Sequence, residues 1–349
     1  MKTRIIRLDE ENIDRTAVEE AGRVIRAGGL VAFPTETVYG LGGDALNAES
    51  SGRIYAAKGR PSDNPLIVHI ADLEGLKKVV AKIPEEALLL AERFWPGPLT
   101  MIFEKADVVP YATTGGLDTV AVRMPSNKIA RELIRASGRY LAAPSANLSG
   151  RPSPTDAKYV IQDLDGRVDM ILDGGESEIG LESTIIDLSG EAPVILRPGY
   201  ITEEMLKAVI AGVDTDWTIL DTDSGTAPKA PGMKYRHYAP KGSLVLVEGA
   251  QEQVVSYING RLEAHRKEGK RTGVIAADET APWYRADSVK SVGKRGDESA
   301  IAKHLFRILR EFDDEEVQMI YAESFDRRGI GCAIMNRLLK AAGHQVITL

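Results

Sequence analysis

The sequence predicts an α/β protein with a twisted mixed-sheet domain followed by a small Rossmann-like domain that contains a parallel sheet. In residues 1–211, short apolar runs alternate with helix-like segments, and glycine or proline bounds most of the runs. Residues 212–240 are polar, lack periodicity and predict a linker. From residue 241 to 349, strands and helices alternate regularly, as they do around a parallel sheet.

The elements of the first domain follow from local patterns. Asp14 is a suitable N-cap for a first helix, which the glycines at 28 and 29 end. A buried strand over 30–33 comes next and stops at Pro34. Further strands are expected at 65–70, 99–103, 119–123, 140–143, 169–172, 183–188 and 194–196, and further helices at 84–94, 127–137 and 155–162.

The second domain repeats a strand–helix unit. Its strands are expected at 244–247, 273–277, 317–322 and 346–348, and its helices at 250–266, 298–311 and 331–342. No internal repeat or low-complexity tract interrupts this order.

Composition limits the classes of function. The 349 residues suit two domains, and 43% hydrophobic with 27% charged residues is ordinary for a globular protein. A net charge of −7 argues against a chain that grips nucleic acid nonspecifically, although a local basic pocket is still allowed. The single cysteine, Cys332, excludes a disulfide within the chain and stands in an apolar stretch typical of a core.

The sequence contains no apolar run typical of a signal peptide or a membrane helix. The N-terminal MKTRIIRLDEENID holds no apolar run of signal-peptide length, and no stretch of 18 apolar residues occurs. We therefore expect a cytoplasmic protein with no membrane partner.

Polar residues interrupt otherwise buried runs at several places, and these are the candidate functional segments. They are 34–42 (PTETVYGLG), 58–65 (KGRPSDNP), 144–147 (PSAN) with 151–153 close behind, 182–184 (EST), 197–199 (RPG), and Arg123 at the end of a strand. Lys58 and Arg60 stand two residues apart before a proline, which favours extended backbone and would place both cations on one face. Such a pair suits an oligophosphate or a carboxylate.

Ser145 and Asn147 show the same spacing and could bond one ligand from one side. For each of these segments taken singly, surface cations and turn-forming polar residues are an equally good interpretation. His69, inside the strand at 65–70, would by itself be read as structural.

A dinucleotide fingerprint is present only in a loose form. Gly40, Gly42 and Ala45 satisfy G-x-G-x-x-A, but that motif needs glycines that leave a strand directly and open a helix. The intervening PTETVY argues against an NAD site. The chain also lacks a Walker A loop, so an ATP site must be of another type.

Taken together, the motifs resemble a known family. PTETVYGLG, KGRPSDNPL, PSANLSGRPSPT, LESTI and RPG are similar to the YrdC-type L-threonylcarbamoyladenylate synthases. PGMKYRHYAP and GCAIMNRLLKAA resemble the long members, which carry an extra C-terminal domain. The resemblance runs in order from about residue 15 to the C-terminus. It implies a YrdC-like catalytic domain over 1–211 and a Rossmann-like domain over 241–349.

The resemblance implies a nucleotidyl transfer. L-Threonine, bicarbonate and ATP would give threonylcarbamoyl-AMP and pyrophosphate for the threonylcarbamoyladenosine modification of tRNA, with ATP as substrate and Mg²⁺ as its expected escort. Every reactant is or becomes anionic, so clustered cations and positioning should carry the rate. A downstream threonylcarbamoyl transferase complex is the expected partner, and direct tRNA binding is not required. The metal ligands cannot be named from the sequence.

Residue roles follow from the matching motif positions. The residues expected at L-threonine are Thr37, His69, Arg123, Ala143 (through its backbone) and Ser183, with Thr35 as an alternative to Thr37. Those expected at ATP are Lys58, Arg60, Asn64, Thr119, Ser145, Asn147, Ser153 and Arg197, and Lys58, Arg60, Ser145 and Asn147 form the catalytic signature.

The linker carries an expectation of its own. Residues 231–240 hold two tyrosines, Tyr235 and Tyr238, with a histidine and two cations, unlike a passive spacer. We expect both tyrosines at ATP, as parts of a lid. Packing at a domain interface is the plainer alternative.

Two other functions compete with synthesis. A non-catalytic module for double-stranded RNA could use the same basic concavity, and its binding would fall steeply with salt. Carbamoyl chemistry on another acceptor, as in hydrogenase-maturation proteins, is disfavoured because their zinc-finger and acylphosphatase segments are absent.

Overall fold

A computed structural model describes residues 2–216 and 237–349, and these fall into two compact units. The first unit takes in the described residues up to Asp216, except Gly150–Pro152 and Ile179–Leu181. Those two short segments and the described residues from His237 onward form the second unit.

The first unit is a mixed sheet covered by helices. Its strands are β1 (Arg4–Arg7), β2 (Val31–Phe33), β3 (Gly40–Asp44), β4 (Ile67–His69), β5 (Leu99–Glu104), β6 (Thr119–Arg123), β7 (Leu141–Ala143), β8 (Met170–Asp173), β9 (Thr184–Asp187), β10 (Val194–Arg197) and β11 (Asp214–Thr215). Its helices are α1 (Arg15–Arg26), α2 (Ala48–Lys58), α3 (Leu73–Val79), α4 (Glu85–Phe94), α5 (Tyr111–Thr114), α6 (Lys128–Ser137), α7 (Ala157–Leu164) and α8 (Glu203–Lys207).

The sheet has the order β1-β8-β2-β3-β7-β4-β6-β5-β9-β10-β11. The sheet contains parallel pairs, such as β4 with β6, and antiparallel pairs, such as β5 with β6, so the predicted mixed sheet is confirmed. The expected helix α1 is also confirmed, because the Asp14 side chain accepts from the N–H groups of Thr16 and Ala17.

Strand alternation divides the core between the two faces of this sheet. Val31 and Phe33 of β2 belong to the apolar cluster that includes the buried stripes of α1 and α6, which pack on each other. Ala32, pointing the other way, belongs to the larger cluster with side chains of α2, α3, α4 and α7. Both faces of the sheet are therefore covered by apolar side chains, as the continuous apolar runs predicted.

The glycines of the loose dinucleotide fingerprint belong to β3, which runs antiparallel to β2. A Cβ on Gly42 would lie 2.8 Å from a ring carbon of Phe33, so glycine here lets the phenylalanine ring lie across the sheet. Because Gly40 and Gly42 do not open a helix, the rejection of an NAD fingerprint is confirmed.

The second unit has a five-stranded, wholly parallel sheet, as predicted. Its strands are β12 (Ser243–Glu248), β13 (Thr272–Ala276), β14 (Ser288–Ser291), β15 (Met319–Glu323) and β16 (Val346–Thr348), in the order β14-β13-β15-β12-β16. Its helices are α9 (Gln251–Lys267), α10 (Glu298–Asp314) and α11 (Ile330–Ala341), with a 3-10 turn at Ala281–Trp283. The sequence reading missed β14.

Within this second unit, α9 covers one apolar cluster of the sheet, and α10 packs on α11. Arg310 of α10 is fully buried and donates from Nε and Nη2 to the carbonyl of Pro152, at 3.0 and 2.6 Å. Two hydrogen bonds from a buried guanidinium hold the Pro152 carbonyl in place.

The predicted linker over 212–240 is only partly described. It begins inside the first unit, because β11 pairs in parallel with β10. At its other end, Tyr238 is buried in the second unit. The rest of the predicted linker, 217–236, lies outside the described residues.

Tyr39→Phe should destabilise the protein by about 1–3 kcal/mol, measured by urea unfolding of the full chain. The buried Tyr39 hydroxyl donates to the Gly175 carbonyl at 2.6 Å and accepts from the Gly174 N–H at 3.1 Å. Phenylalanine would leave both backbone groups without a hydrogen-bond partner. Tyr111→Phe is the matched control, because its hydroxyl bonds Asp118 at an exposed position. Equal effects of the two changes would contradict this account.

Candidate active site

The turn that follows β2 is held by one hydroxyl. Thr35 Oγ1 donates to the Val38 carbonyl at 2.6 Å and accepts from the N–H groups of Thr37 and Val38, each at 3.3 Å. This is the local pattern by which threonine stabilises a turn. Thr35 therefore stabilises the turn. The Thr37 hydroxyl accepts a hydrogen bond from Arg123.

Arg123, the last residue of β6, is buried and meets this turn. Its Nη1 donates to Thr37 Oγ1 at 2.8 Å, and its Nη2 lies 2.7 Å from Glu36 Oε1. The Glu36 and Arg123 side chains are each only 5% exposed. A buried guanidinium needs such a counter-charge, since an unpaired one is expensive.

The two donors on one edge of the Arg123 guanidinium differ in their surroundings. Nη2 is taken up by the ion pair with Glu36 at 2.7 Å, although that contact is not aligned as a hydrogen bond. Nε donates to no described residue. Nε–H is therefore a buried donor that an acceptor from a ligand would satisfy.

The pKa of the Glu36 carboxyl group reflects this pairing. Burial alone would raise the pKa, but the Arg123 guanidinium outweighs burial and holds it below the usual value. The backbone N–H groups of Glu36 and Ser126 act in the same direction, although neither completes a well-aligned bond to the carboxylate. Glu36 is ionised at neutral pH.

His69 ends β4 and is the register partner of Arg123 across the parallel β4–β6 pair. Burial, with help from the positive charge of Arg123, lowers the pKa of His69 to about 3. Its Nδ1 lies 3.1 Å from the Ile67 carbonyl, a contact suited to a neutral ring protonated on Nδ1. His69 thus offers a neutral imidazole to the site.

Neighbouring strands bring the other expected threonine residues to the same face of the sheet. Ala143 pairs with Ile67, two residues before His69, and Thr100 of β5 pairs with Arg123. Thr100 Oγ1 lies 2.7 Å from Ser183 Oγ. Because residues two apart on a strand point the same way, this face also carries a small apolar cluster, made of Ile67, Ile102, Ala121, Ile185 and Leu196.

Arg197, at the end of β10, holds Ser183. Its Nε and Nη2 donate to the Ser183 carbonyl at 3.1 and 3.0 Å, and Nη2 also reaches Ser183 Oγ at 3.2 Å. The structure thus joins Arg197, expected at the nucleotide, to Ser183, expected at threonine. The five residues of the expected threonine set occupy one contiguous region.

The expected cation pair is arranged differently from the sequence reading. Lys58 is the last residue of α2, and Gly59 caps the helix with φ +62°, so the two cations do not share an extended segment. The Lys58 ammonium is buried and contacts the carbonyls of Ser145 and Asn147 and, at 3.3 Å, Asn147 Oδ1. The expectation that Lys58 and Arg60 share an extended segment is therefore wrong.

Lys58 and the 145–147 segment form one network. Ser145 Oγ donates to Asn147 Oδ1 at 2.5 Å, on the same oxygen that faces the lysine. An ammonium with three donors suits several carbonyl oxygens at once. The K-x-R and S-x-N motifs thus meet in space, and Lys58 orders the S-x-N segment.

Arg60 serves the loop that follows it. Its Nε and Nη2 donate to the carbonyls of Asn64 and Pro65 at 3.2 and 3.0 Å. The Asn64 side-chain oxygen is buried and accepts from no described residue, which leaves it for a ligand. Arg60 and Asn64 therefore lie together, as expected.

The remaining nucleotide residues are spread out. Thr119 starts β6, so four residues, about 13 Å of strand, separate it from Arg123 on the same face. Ser153 is buried and donates to Glu182 Oε1 at 2.6 Å. Tyr235 lies outside the described residues.

Tyr238 is part of the second unit and is committed to packing there. Its ring centroid lies 5.1 Å from that of Phe306, and the Arg337 guanidinium carbon lies 5.9 Å from the ring. The side chain is 5% exposed and its backbone φ is +65°. This arrangement favours the plainer interpretation of Tyr238 as an anchor over ATP contact.

Three residues that contact the expected site residues were not among those predicted from the sequence: Glu36, Thr100 and Glu182. Glu36 and Glu182 stand inside motifs that the sequence did single out, and a charge in a buried run was the available signal. Thr100 carried no such signal, since threonine is ordinary in a strand.

Within residues 2–216 and 237–349, no three His, Cys, Asp or Glu side chains are grouped to hold a metal ion. The helices of the same residues are too short or too polar to cross a membrane.

These features define a class: an α/β enzyme with a buried arginine–glutamate pair, a neutral imidazole and hydroxyl groups on one face of its mixed sheet. Two family models match the chain, the Sua5/YciO/YrdC model described as telomere recombination over 23–199 and the C-terminal domain model of threonylcarbamoyl-AMP synthase over 201–343. The chain therefore belongs to the Sua5/YciO/YrdC family, in its long form with the extra domain, and the resemblance seen in the sequence is confirmed.

Relatives and a solved structure that match nearly the full chain support this family assignment. A threonylcarbamoyl-AMP synthase of Pyrococcus abyssi is 49% identical over 97% of both chains, and one of Bacillus subtilis is 48% identical over 97% of this chain and 96% of its own. The crystal structure of P. abyssi Sua5 complexed with L-threonine superposes with a TM-score of 0.94 at 48% identity, over 99% of this chain and all of the other.

The buried His69 should make stability depend on pH. Unfolded, its pKa is near 6.5, whereas in the fold it is about 3, so the unfolded chain binds the extra proton as pH falls. Between pH 7.5 and 5.0 this should remove about 2 kcal/mol of unfolding free energy. His69→Asn should abolish this pH-dependent loss of unfolding free energy, measured by urea unfolding at both pH values. If wild type and variant show the same pH slope, the ring is not held neutral.

Proposed function

We propose that this protein is a threonylcarbamoyl-AMP synthase that joins L-threonine, bicarbonate and ATP. The observation that carries the proposal is the buried Arg123, whose Nε–H meets no described acceptor, on the sheet face that holds His69 and, through Thr100, Ser183. A buried guanidinium donor of this kind suits a substrate carboxylate. The full-length relatives are named for this activity, and one solved relative holds L-threonine.

The chemistry needs no protein nucleophile. Threonine and bicarbonate first give the carbamate, with loss of water and a proton. A carbamate oxygen then attacks the α-phosphorus of ATP, and pyrophosphate leaves. The protein's part is to hold anionic reactants together against their repulsion, which is positioning and charge stabilisation.

The described side chains divide this work. Arg123 takes the threonine carboxylate, and Thr37 fixes the guanidinium through Nη1. His69, neutral, offers a polar contact without adding charge. We assign the ordered 145–147 segment, held by Lys58, to the phosphates, with Arg60 and Asn64 beside it.

Mg²⁺ is expected with the triphosphate, whose charge it would neutralise. Within the described residues no three His, Cys, Asp or Glu side chains are grouped to hold a metal ion, so we assign the ion no protein ligand. We also propose that the protein works in the cytoplasm and passes its labile product to a threonylcarbamoyl transferase complex acting on tRNA.

Pyrophosphate release from ATP should require both threonine and bicarbonate. The carbamate is the nucleophile, so ATP with either partner alone has nothing productive to meet. Coupled pyrophosphate detection in carbonate-free buffer, with and without added bicarbonate, measures this, and mass spectrometry identifies the adenylate. Release driven by threonine alone would mean that an aminoacyl-adenylate forms and that the proposed reaction is wrong.

Arg123→Lys should weaken L-threonine binding by at least about tenfold in calorimetry, because lysine keeps the charge beside Glu36 but cannot supply the fork. ATP affinity should change little. Arg139→Lys is the control, since Arg139 is a half-exposed arginine paired with Asp44 in the same unit. Unchanged threonine affinity in the Arg123 variant would remove Arg123 from the carboxylate site.

A further inference from the structure

The second unit contains two short segments from the N-terminal half of the chain, Gly150–Pro152 and Ile179–Leu181. Each segment is followed directly by a residue of the candidate site, Ser153 after the first and Glu182 after the second. Whatever holds these two segments therefore also limits where Ser153 and Glu182 can lie.

The first segment is held by charged side chains of α10. Arg310, which is fully buried, donates from Nε and Nη2 to the Pro152 carbonyl at 3.0 and 2.6 Å. Proline has no N–H, so its carbonyl is the backbone group by which a partner can hold it. Arg151 Nη2 lies 3.3 Å from Oδ2 of Asp313, whose side chain is 2% exposed. Two consecutive residues are thus fixed to one helix immediately before Ser153.

The second segment lies directly on the backbone of the same helix. A Cβ on Gly180 would be 2.5 Å from the Cα of Lys303 and 2.7 Å from the carbonyl oxygen of Ala302, both in α10. The φ of Gly180 is +83°, a conformation that side-chain-bearing residues rarely adopt. Glycine therefore permits the close approach of this segment to α10, two residues before Glu182.

A hydrogen bond joins the residues that follow the two segments. Ser153 Oγ donates to Glu182 Oε1 at 2.6 Å, and both side chains are buried. Ser153 is a residue expected at ATP. A binding residue that is held before its ligand arrives loses less conformational freedom on binding, and this strengthens affinity without any new contact to the ligand.

We propose that Arg310 is a positioning residue for ATP, which holds the Pro152 carbonyl and so fixes the next residue, Ser153, where the nucleotide binds. This inference rests on the proposed function and deepens it, because it gives α10 of the second unit a part in ATP binding. Arg310 itself touches no substrate in this account. Its whole effect passes through the peptide between Pro152 and Ser153.

Calorimetry on the full chain tests the proposal, with ATP titrated at saturating L-threonine in carbonate-free buffer so that no turnover occurs. Arg310→Lys keeps the positive charge but loses the planar pair of donors. It should weaken ATP binding by at least about tenfold, because small misplacements of a positioned group have large effects. L-Threonine affinity, measured without ATP, should stay at the wild-type value.

Arg307→Lys is the matched control, since Arg307 lies on the same helix with a side chain 32% exposed beside Glu311. This variant should leave both affinities unchanged. If Arg310→Lys weakens ATP and threonine equally, or leaves ATP affinity unchanged, Arg310 supports only the fold and the proposal is overturned.

A double-mutant cycle separates a path through Ser153 from any other. Ser153→Ala should weaken ATP binding, and the double variant Arg310→Lys with Ser153→Ala should bind ATP no more weakly than Ser153→Ala alone. Additive losses would mean that Arg310 acts on the site by another route. Wild-type ATP affinity in Ser153→Ala would remove the residue through which Arg310 is said to act.

Gly180→Ala provides a second variant should Arg310→Lys not fold. The added methyl group would push Ile179–Leu181 away from α10, so ATP binding should again weaken. Gly260→Ala in α9, where a Cβ would meet no atom within 4 Å, should bind ATP as wild type does. Equal ATP affinity in both glycine variants would show that α10 does not set the site.

Failure of the proposed function gives a different result. If wild type binds ATP but releases no pyrophosphate with threonine and bicarbonate present, the synthase reaction is wrong, while the titrations still decide whether Arg310 positions a nucleotide site.

Discussion

The site depends on the burial of one guanidinium. Placing Arg123 at the end of an interior strand costs several kcal/mol in lost hydration unless partners are supplied. The turn after β2 supplies them, a carboxylate from Glu36 and a hydroxyl from Thr37. Thr35 in turn fixes that turn through its own hydroxyl, so three consecutive residues of one motif serve a single charge.

Lys58 and Arg60, two residues apart in the sequence, hold different segments of the chain. Lys58 ends a helix and sends its ammonium onto the carbonyls of Ser145 and Asn147, while Arg60 holds the carbonyls of Asn64 and Pro65. Cations used in this way shape loops first. Each cation satisfies backbone carbonyl groups. Its positive charge also lowers the free-energy cost of bringing an anionic ligand close.

The sequence predicted what depends on strong local patterns. The N-cap at Asp14, the mixed sheet and the parallel second sheet all appear as expected. The helix α2 was missed because its sequence, AESSGRIYAAK, is rich in small residues and carries no clear apolar stripe. That omission had a chemical consequence, since the geometry assumed for Lys58 required an extended chain.

Site membership could be predicted more fully than site geometry. Motifs named Thr37, His69 and Arg123, but only strand register shows that His69 and Arg123 are partners. Glu36 was visible in its motif, yet its meaning depends on a contact 87 residues along the chain, which no local pattern encodes. Long-range charge pairing is the part of the site that sequence reasoning could not reach.

An acidic chain can still build a pocket for anions because position matters more than total charge. Here the buried charges close to the substrate face are balanced, with Glu36 against Arg123 and a neutral His69 between strands. A balanced pocket favours a ligand that carries both signs, whereas a purely basic one would hold bicarbonate or phosphate in place of the amino acid.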